Sequence, residues 1–157
     1  MNLIILILVS YLIGSFPTAY LFDKKIFSKG TKNMGAFNFM LENKNIINTS
    51  LVLFIDILKG IIILFISNRL IPTYYGIIIA LIFGILGHSY SVWVKFKGGK
   101  GLAIACGIVF LLEPLFFIIG ILIVSILYLI IKDHIKVGLM GVVIVIFLAL
   151  IMKLNFS

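Results

Sequence analysis

Charge is what this chain lacks most. Of 157 residues only 11% are Asp, Glu, Lys or Arg, and just five of those are acidic. Soluble domains carry about 25% charged residues, so an ordinary water-soluble fold is excluded. The 63% hydrophobic content and mean hydropathy of +1.32 point to an integral membrane protein. A single cysteine, Cys106, excludes an intramolecular disulfide; it lies in an apolar run and reads as a small packing residue rather than a nucleophile. Two histidines and five acids fall in no metal-ligand cluster, so neither metal nor cofactor is expected. There is no P-loop pattern, internal repeat, low-complexity linker or heptad.

What is present is a series of apolar runs: residues 1–22, 46–67, 70–87, 102–131 and 137–154. About 20 apolar residues cross a bilayer. The run 102–131 is too long for one crossing, and Glu113-Pro114 inside it predicts a turn between a short span at 102–112 and a second one. The first run lacks a basic leading segment and a cleavage site, and reads as a span rather than a secretory signal. The expectation is an all-α, polytopic helical bundle of about six membrane segments, forming a single membrane domain over 1–157.

The net charge of +8 could suggest nucleic acid, but its placement argues for topology. Ten of the 13 basic residues fall after spans one, three and five: Lys24, Lys25, Lys29, Lys32 and Lys44, then Lys95, Lys97 and Lys100, then Lys132 and Lys136. The opposite side has only Arg69, with Lys153 near the end of the last run. Positive residues stay inside, so these loops are expected in the cytoplasm and both termini outside. No nucleic acid partner is expected. Anionic lipid headgroups remain a plausible, unspecific contact for the lysines.

Two of the lysine loops are also rich in glycine: GTKNMGAFN at 30–38 and KFKGGKG at 95–101. Irregular backbone cannot face lipid, so both belong at the membrane surface. Glycine lets backbone N–H groups converge on an anion, and lysine adds a point charge. A phosphate held at the edge of the bilayer is the chemistry this composition suits. His88 ends the third apolar run beside the second loop, as either a structural residue or a catalytic one; His134 falls in a short polar turn and reads as solvated. Asp56 and Lys59 lie three apart within the second span and share a helix face. A charge in mid-span costs on the order of 3 kcal/mol, so both should face inward. They either neutralise each other and orient the helix, or support the first loop or the substrate.

GSFPTAYLF (14–22), GTKNMGAFN, DILKG (56–60) and GH-x7-FKGGKGLA (87–103) occur together in this order. In these blocks, over about two-thirds of its length, the chain resembles PlsY, the bacterial acyl-phosphate-dependent glycerol-3-phosphate acyltransferase family. The resemblance implies a bacterial inner-membrane enzyme with a cytoplasmic site. It would transfer an acyl group from acyl phosphate to glycerol 3-phosphate, giving lysophosphatidic acid for phospholipid synthesis. Position by position, it implies phosphate-binding roles for Thr31, Asn33, Gly35 and Asn38, with Ala36 also matching. Lys97, Gly98, Gly99, Lys100 and Gly101 match the second loop, His88 would be catalytic, and Asp56 and Lys59 supporting. The acyl-phosphate leaving group is already good, so direct attack by the glycerol hydroxyl needs mainly positioning and charge stabilisation, with no covalent enzyme intermediate. His88 or the substrate phosphate would take the proton.

The chain departs from the family pattern at Lys32 (usually glycine), Phe37 (usually threonine) and Leu41 (usually a phosphate-contacting arginine). Lys136 and Leu139 stand where serines are usual, and the family's C-terminal arm finds no match before Ser157, one span short by this count. Two other readings therefore stand beside the enzyme: a catalytically weakened paralogue that binds acyl phosphate or anionic lipid, and a small membrane transport or assembly subunit.

Overall fold

The computed structural model describes residues 1–133, 136, 137, 139–141, 143, 144 and 147. Among these the regular structure is helical, joined by irregular loops and with one isolated bridge between Ser91 and Lys97. Through residue 131 the α-helices follow in the order α1 (Asn2–Ser15), α2 (Thr18–Phe22), α3 (Ala36–Asn43), α4 (Ile46–Leu70), α5 (Tyr74–Ser89), α6 (Leu102–Leu112) and α7 (Pro114–Ile131). Short 3-10 turns lie at Ile26–Ser28 and Val92–Val94.

Local chemistry explains the boundaries. Pro17 has no N–H to donate, so the first apolar run breaks there into α1 and α2, although Asn2–Phe22 remains a membrane-length apolar segment of 21 residues. The Asn45 side chain caps α4 by accepting from the Asn48 N–H (3.1 Å). Thr73 caps α5 in the same way, accepting from Gly76 N–H (3.2 Å). The long run 102–131 divides at Glu113, and Pro114 opens α7 at the position where a helix loses nothing to proline. With 11 residues, α6 is about 16 Å long, too short to cross a hydrocarbon core of about 30 Å. Helix α3 was not expected; it grows out of the end of the first glycine loop. The last apolar run, 137–154, falls mostly outside the described residues, as do His134 and Lys153.

Helix α1 packs chiefly on α5, and α4 on α6. Both seams depend on glycine. A Cβ at Gly14 would strike the carbonyl of Gly84, and one at Gly87 the carbonyl of Tyr11. Gly60 meets the Ile104 carbonyl and Gly107 that of Ile57 in the same manner. Small residues that let backbones touch are how helices associate in lipid, where no hydrophobic force draws them together. Between the four helices lies a dry core including Leu6, Ile63, Leu81, Ile85, Ile104 and Ile108. The outer surfaces are apolar too, with Leu8, Leu12, Phe54, Phe65, Ile126 and Leu129 exposed. Helices apolar on both faces suit a lipid surround.

The Asn2 side chain donates to the Leu70 carbonyl (3.1 Å), tying together one end of the bundle. All three lysine loops gather at the other end. The Met34 N–H of the first donates to the Gly98 carbonyl of the second (3.3 Å), and Asp133 of the third acts electrostatically on Lys100. A second small core of Ala19, Ile26, Met34, Phe39, Val52 and Val94 lies beneath these loops.

Candidate active site

The first glycine loop is held by its own amides. Asn38 is buried; its Oδ1 accepts from the Thr31 N–H (2.8 Å) and its Nδ2 donates to the Asn33 carbonyl (2.7 Å). The Asn33 Nδ2 donates to Thr31 Oγ1 (2.7 Å), while its Oδ1 accepts from Gly35 N–H (2.9 Å). Asn33 and Asn38 thus use both ends of their side chains to shape the loop. Just upstream, Lys29 donates to Asp23 (2.7 Å), and this bond, reinforced by the Lys25 backbone N–H, holds the Asp23 carboxyl below its usual range.

The second loop is suspended from α1. The Ser91 hydroxyl donates to the Ser15 carbonyl, and the Tyr11 hydroxyl donates to the Tyr90 carbonyl (2.6 Å). Gly98 lies flat on the end of α5, where a Cβ would overlap the carbonyls of His88 and Ser89. The Gly99 N–H donates to the His88 carbonyl (3.0 Å). Gly101 then turns into α6 with φ +73°.

His88 lies where the loops meet. Its ring is buried, and a Cβ on Gly99 would collide with its Nε2 while standing 3.2 Å from Gly35 N. The structure therefore brings His88, Gly99, Gly98 and Gly35 into one spot. Its Nδ1 is buried with no hydrogen-bond partner among the described residues. Lys97 is exposed, and Lys100 is half-buried. Burial pushes the Lys100 amine below the usual lysine value, with Asp133 pulling it part of the way back.

Asp56 and Lys59 lie at the break between α1 and α2, near enough to act electrostatically on His88. The Lys59 amine donates to Asp56 Oδ1 (2.6 Å) and to the Phe16 carbonyl (2.6 Å), and Thr18 Oγ1 donates to Asp56 Oδ1 (2.9 Å). Pro17 breaks the helix there, and the Lys59 amine joins the Thr18 N–H as a second donor to the Phe16 carbonyl. The pair is a brace for the segment that leads into the first loop.

Residues 4–157 match the family model described as "Glycerol-3-phosphate acyltransferase". The chain belongs to this family. A glycerol-3-phosphate acyltransferase of Anaplasma phagocytophilum (strain HZ) is 36% identical over 113 residues, covering 68% of this chain and 58% of the relative. Its counterpart from Staphylococcus aureus (strain JH9) is 36% identical over 132 residues, covering 76% of this chain and 65% of the relative. The chain thus spans about three-fifths of the length of these curated relatives. The crystal structure of PlsY, an integral membrane glycerol 3-phosphate acyltransferase, in its glycerol 3-phosphate form is similar with a TM-score of 0.80 and 28% identity. It covers 98% of this chain and 78% of that one. The lysophosphatidic acid form shares the fold, with a TM-score of 0.70 at 23% identity, covering 99% of this chain and 91% of that one. The glycerol-3-phosphate acyltransferase family fold is that of a membrane protein, in keeping with the apolar exterior.

The departures from the family pattern acquire geometry. Lys32 adopts φ +54°, a left-handed backbone that suits the family's usual glycine and strains a lysine. Phe37 lies edge-on to Tyr128 of α7, ring centroids 6.2 Å apart. Leu41 is half-exposed on α3. Sequence reasoning missed Ser91, Tyr11 and Thr18. Ser91 carries a faint signal, since a serine where apolar residues surround it needs a partner.

Proposed function

We propose that this chain is an acyltransferase that moves a fatty acyl group from acyl phosphate to the 1-hydroxyl of glycerol 3-phosphate. The product is lysophosphatidic acid, the first acylated intermediate of phospholipid synthesis. One observation carries the reading: a buried histidine lies directly under Gly99, where two glycine- and lysine-rich loops dock at one end of a membrane bundle. The relative whose structure is described as its glycerol 3-phosphate form supports the acceptor.

In this reading the acceptor phosphate and the donor phosphate are held by Lys97, Lys100 and the backbone N–H groups of Gly98 and Gly101. Gly35 and Gly99, whose N–H groups are engaged by Asn33 and His88, give the phosphates close approach to the backbone. Thr31 adds a hydroxyl, while Asn33 and Asn38 hold the first loop in shape. The glycerol oxygen attacks the acyl carbonyl carbon and the bond from that carbon to the phosphate oxygen breaks. Inorganic phosphate departs with the electron pair. The hydroxyl proton passes to His88 or to a phosphate oxygen. Asp56 and Lys59 support the site through the α1–α2 break. The two cores share α4, through Val52 in one and Ile63 in the other, which supports one membrane domain over 1–157. Lysine placement supports a bacterial inner-membrane location with the loops in the cytoplasm and both termini outside.

A second reading, binding without turnover, is favoured by Leu41, which offers no fork to a phosphate where the family usually has arginine. Losing such a charge-assisted contact costs about 1.5–3 kcal/mol. Purified protein given palmitoyl phosphate and radiolabelled glycerol 3-phosphate decides between them. Lysophosphatidic acid is expected with the native chain and not with His88→Ala. Binding of acyl phosphate by the native chain without product would move the assignment to the second reading.

A further inference from the structure

The stretch between α5 and the glycine loop turns large apolar side chains outward. Val92, Trp93 and Phe96 are 42%, 62% and 62% exposed, whereas Val94 between them is tucked into the small core under the loops. This display is built into the backbone. Lys95 and Phe96 both take left-handed conformations, with φ +58° and +57°. Consecutive non-glycine residues stay in that region only where their surroundings over-determine it. Here Ser91 does so: its carbonyl accepts from Val94 N–H (3.2 Å) and Phe96 N–H (2.9 Å), its N–H donates to the Lys97 carbonyl (3.3 Å), and its hydroxyl is tied to α1.

The outward residues also continue a lipid-facing stripe. Ile82, Leu86 and Tyr90 follow at intervals of four and are all exposed. Exposed Lys95 places a positive charge beside Trp93 and Phe96. Aromatic rings flanked by lysine are the chemistry of the headgroup layer. We propose that residues 92–96 form a rigid wedge that seats Trp93 and Phe96 among the headgroups of an anionic leaflet, Lys95 meeting a lipid phosphate. The wedge thereby fixes the depth of the glycine loop that follows it.

Trp93 is the single tryptophan of the chain and reports on its own position. The full chain in nanodiscs of phosphatidylglycerol and phosphatidylcholine is expected to show stronger Trp93 quenching by a spin label near the headgroup than by one at the chain end. Iodide should quench it less than it quenches free tryptophan. Lys95→Gln, or phosphatidylcholine alone, is expected to lower headgroup-label quenching relative to iodide quenching, by about fivefold for one lysine–lipid contact. Quenching by iodide as strong as for free tryptophan would overturn the wedge. So would shielding from both quenchers, the signature of a second copy covering this face. Indifference to lipid charge and to Lys95→Gln would overturn the anionic assignment.

Discussion

Gly99→Ala would add one methyl group at the point where the His88 ring lies. The built Cβ stands 3.0 Å from His88 Cδ2, closer still to Nε2, and 3.2 Å from Gly35 N. Non-bonded contact between such atoms is comfortable at about 3.5 Å or more, so the ring has to retreat by about 1 Å. Its way back is limited, because the ring is buried and the His88 carbonyl is engaged by Gly99 N–H. Gly99 does not occupy the left-handed region, so alanine there carries no backbone penalty and the effect is steric. A displacement of that size at a reacting group costs roughly 100-fold in rate, equivalent to about 2.7 kcal/mol in the barrier. Overpacking adds about 1–3 kcal/mol against the fold, which a thermal melt in detergent would separate from the kinetic loss. Gly35→Ala is the control, since its Cβ would meet only Asn33 Oδ1, at 3.1 Å. Initial rates of lysophosphatidic acid formation should fall steeply for the first variant and modestly for the second. A Gly99→Ala protein that melts normally and keeps more than half its activity would refute a working His88 at this junction.

Lys59→Met should be strongly destabilising, by about 3–5 kcal/mol, because it leaves the buried Asp56 carboxylate without its counter-charge. Asp56→Leu combined with Lys59→Met should recover part of that loss in the same unfolding assay, and no recovery would show that the pair does not act as one unit. The amine of Lys100, lowered by burial, should lose its proton at a lower pH than an ordinary lysine. Glycerol 3-phosphate affinity is therefore expected to fall on the alkaline side below the usual lysine range, and Lys100→Arg to move that limb upward in calorimetric titrations.

Much of the architecture was legible because lipid imposes simple rules. Lysine alternation gathered the three loops at one end, and Glu113-Pro114 marked the split between α6 and α7 because proline at a helix start costs nothing. Other features depend on partners distant in sequence. Asp56 and Lys59 read correctly as inward-facing, but nothing local reveals that the lysine's second acceptor is Phe16, 43 positions away. Helix α3 was hidden in a polar stretch whose helical part has no membrane-length signal. The roles of Asn33 and Asn38 as loop formers follow from hydrogen bonds that spacing alone does not specify. Ser91, which sequence reasoning passed over, is the knot of the second loop.

The anchoring of both loops on α1 has a mechanical consequence. The first loop follows α1 through the Pro17 break, and the second is tied to the same helix through Ser15 and Tyr11. Bilayers differ in thickness, and helices respond by tilting. A tilt of α1 would carry both loops with it, so the distance between Gly35 and Gly99 would be conserved while the assembly rises or sinks as one piece. Such an arrangement uncouples the spacing of reacting groups from the thickness of the surrounding membrane.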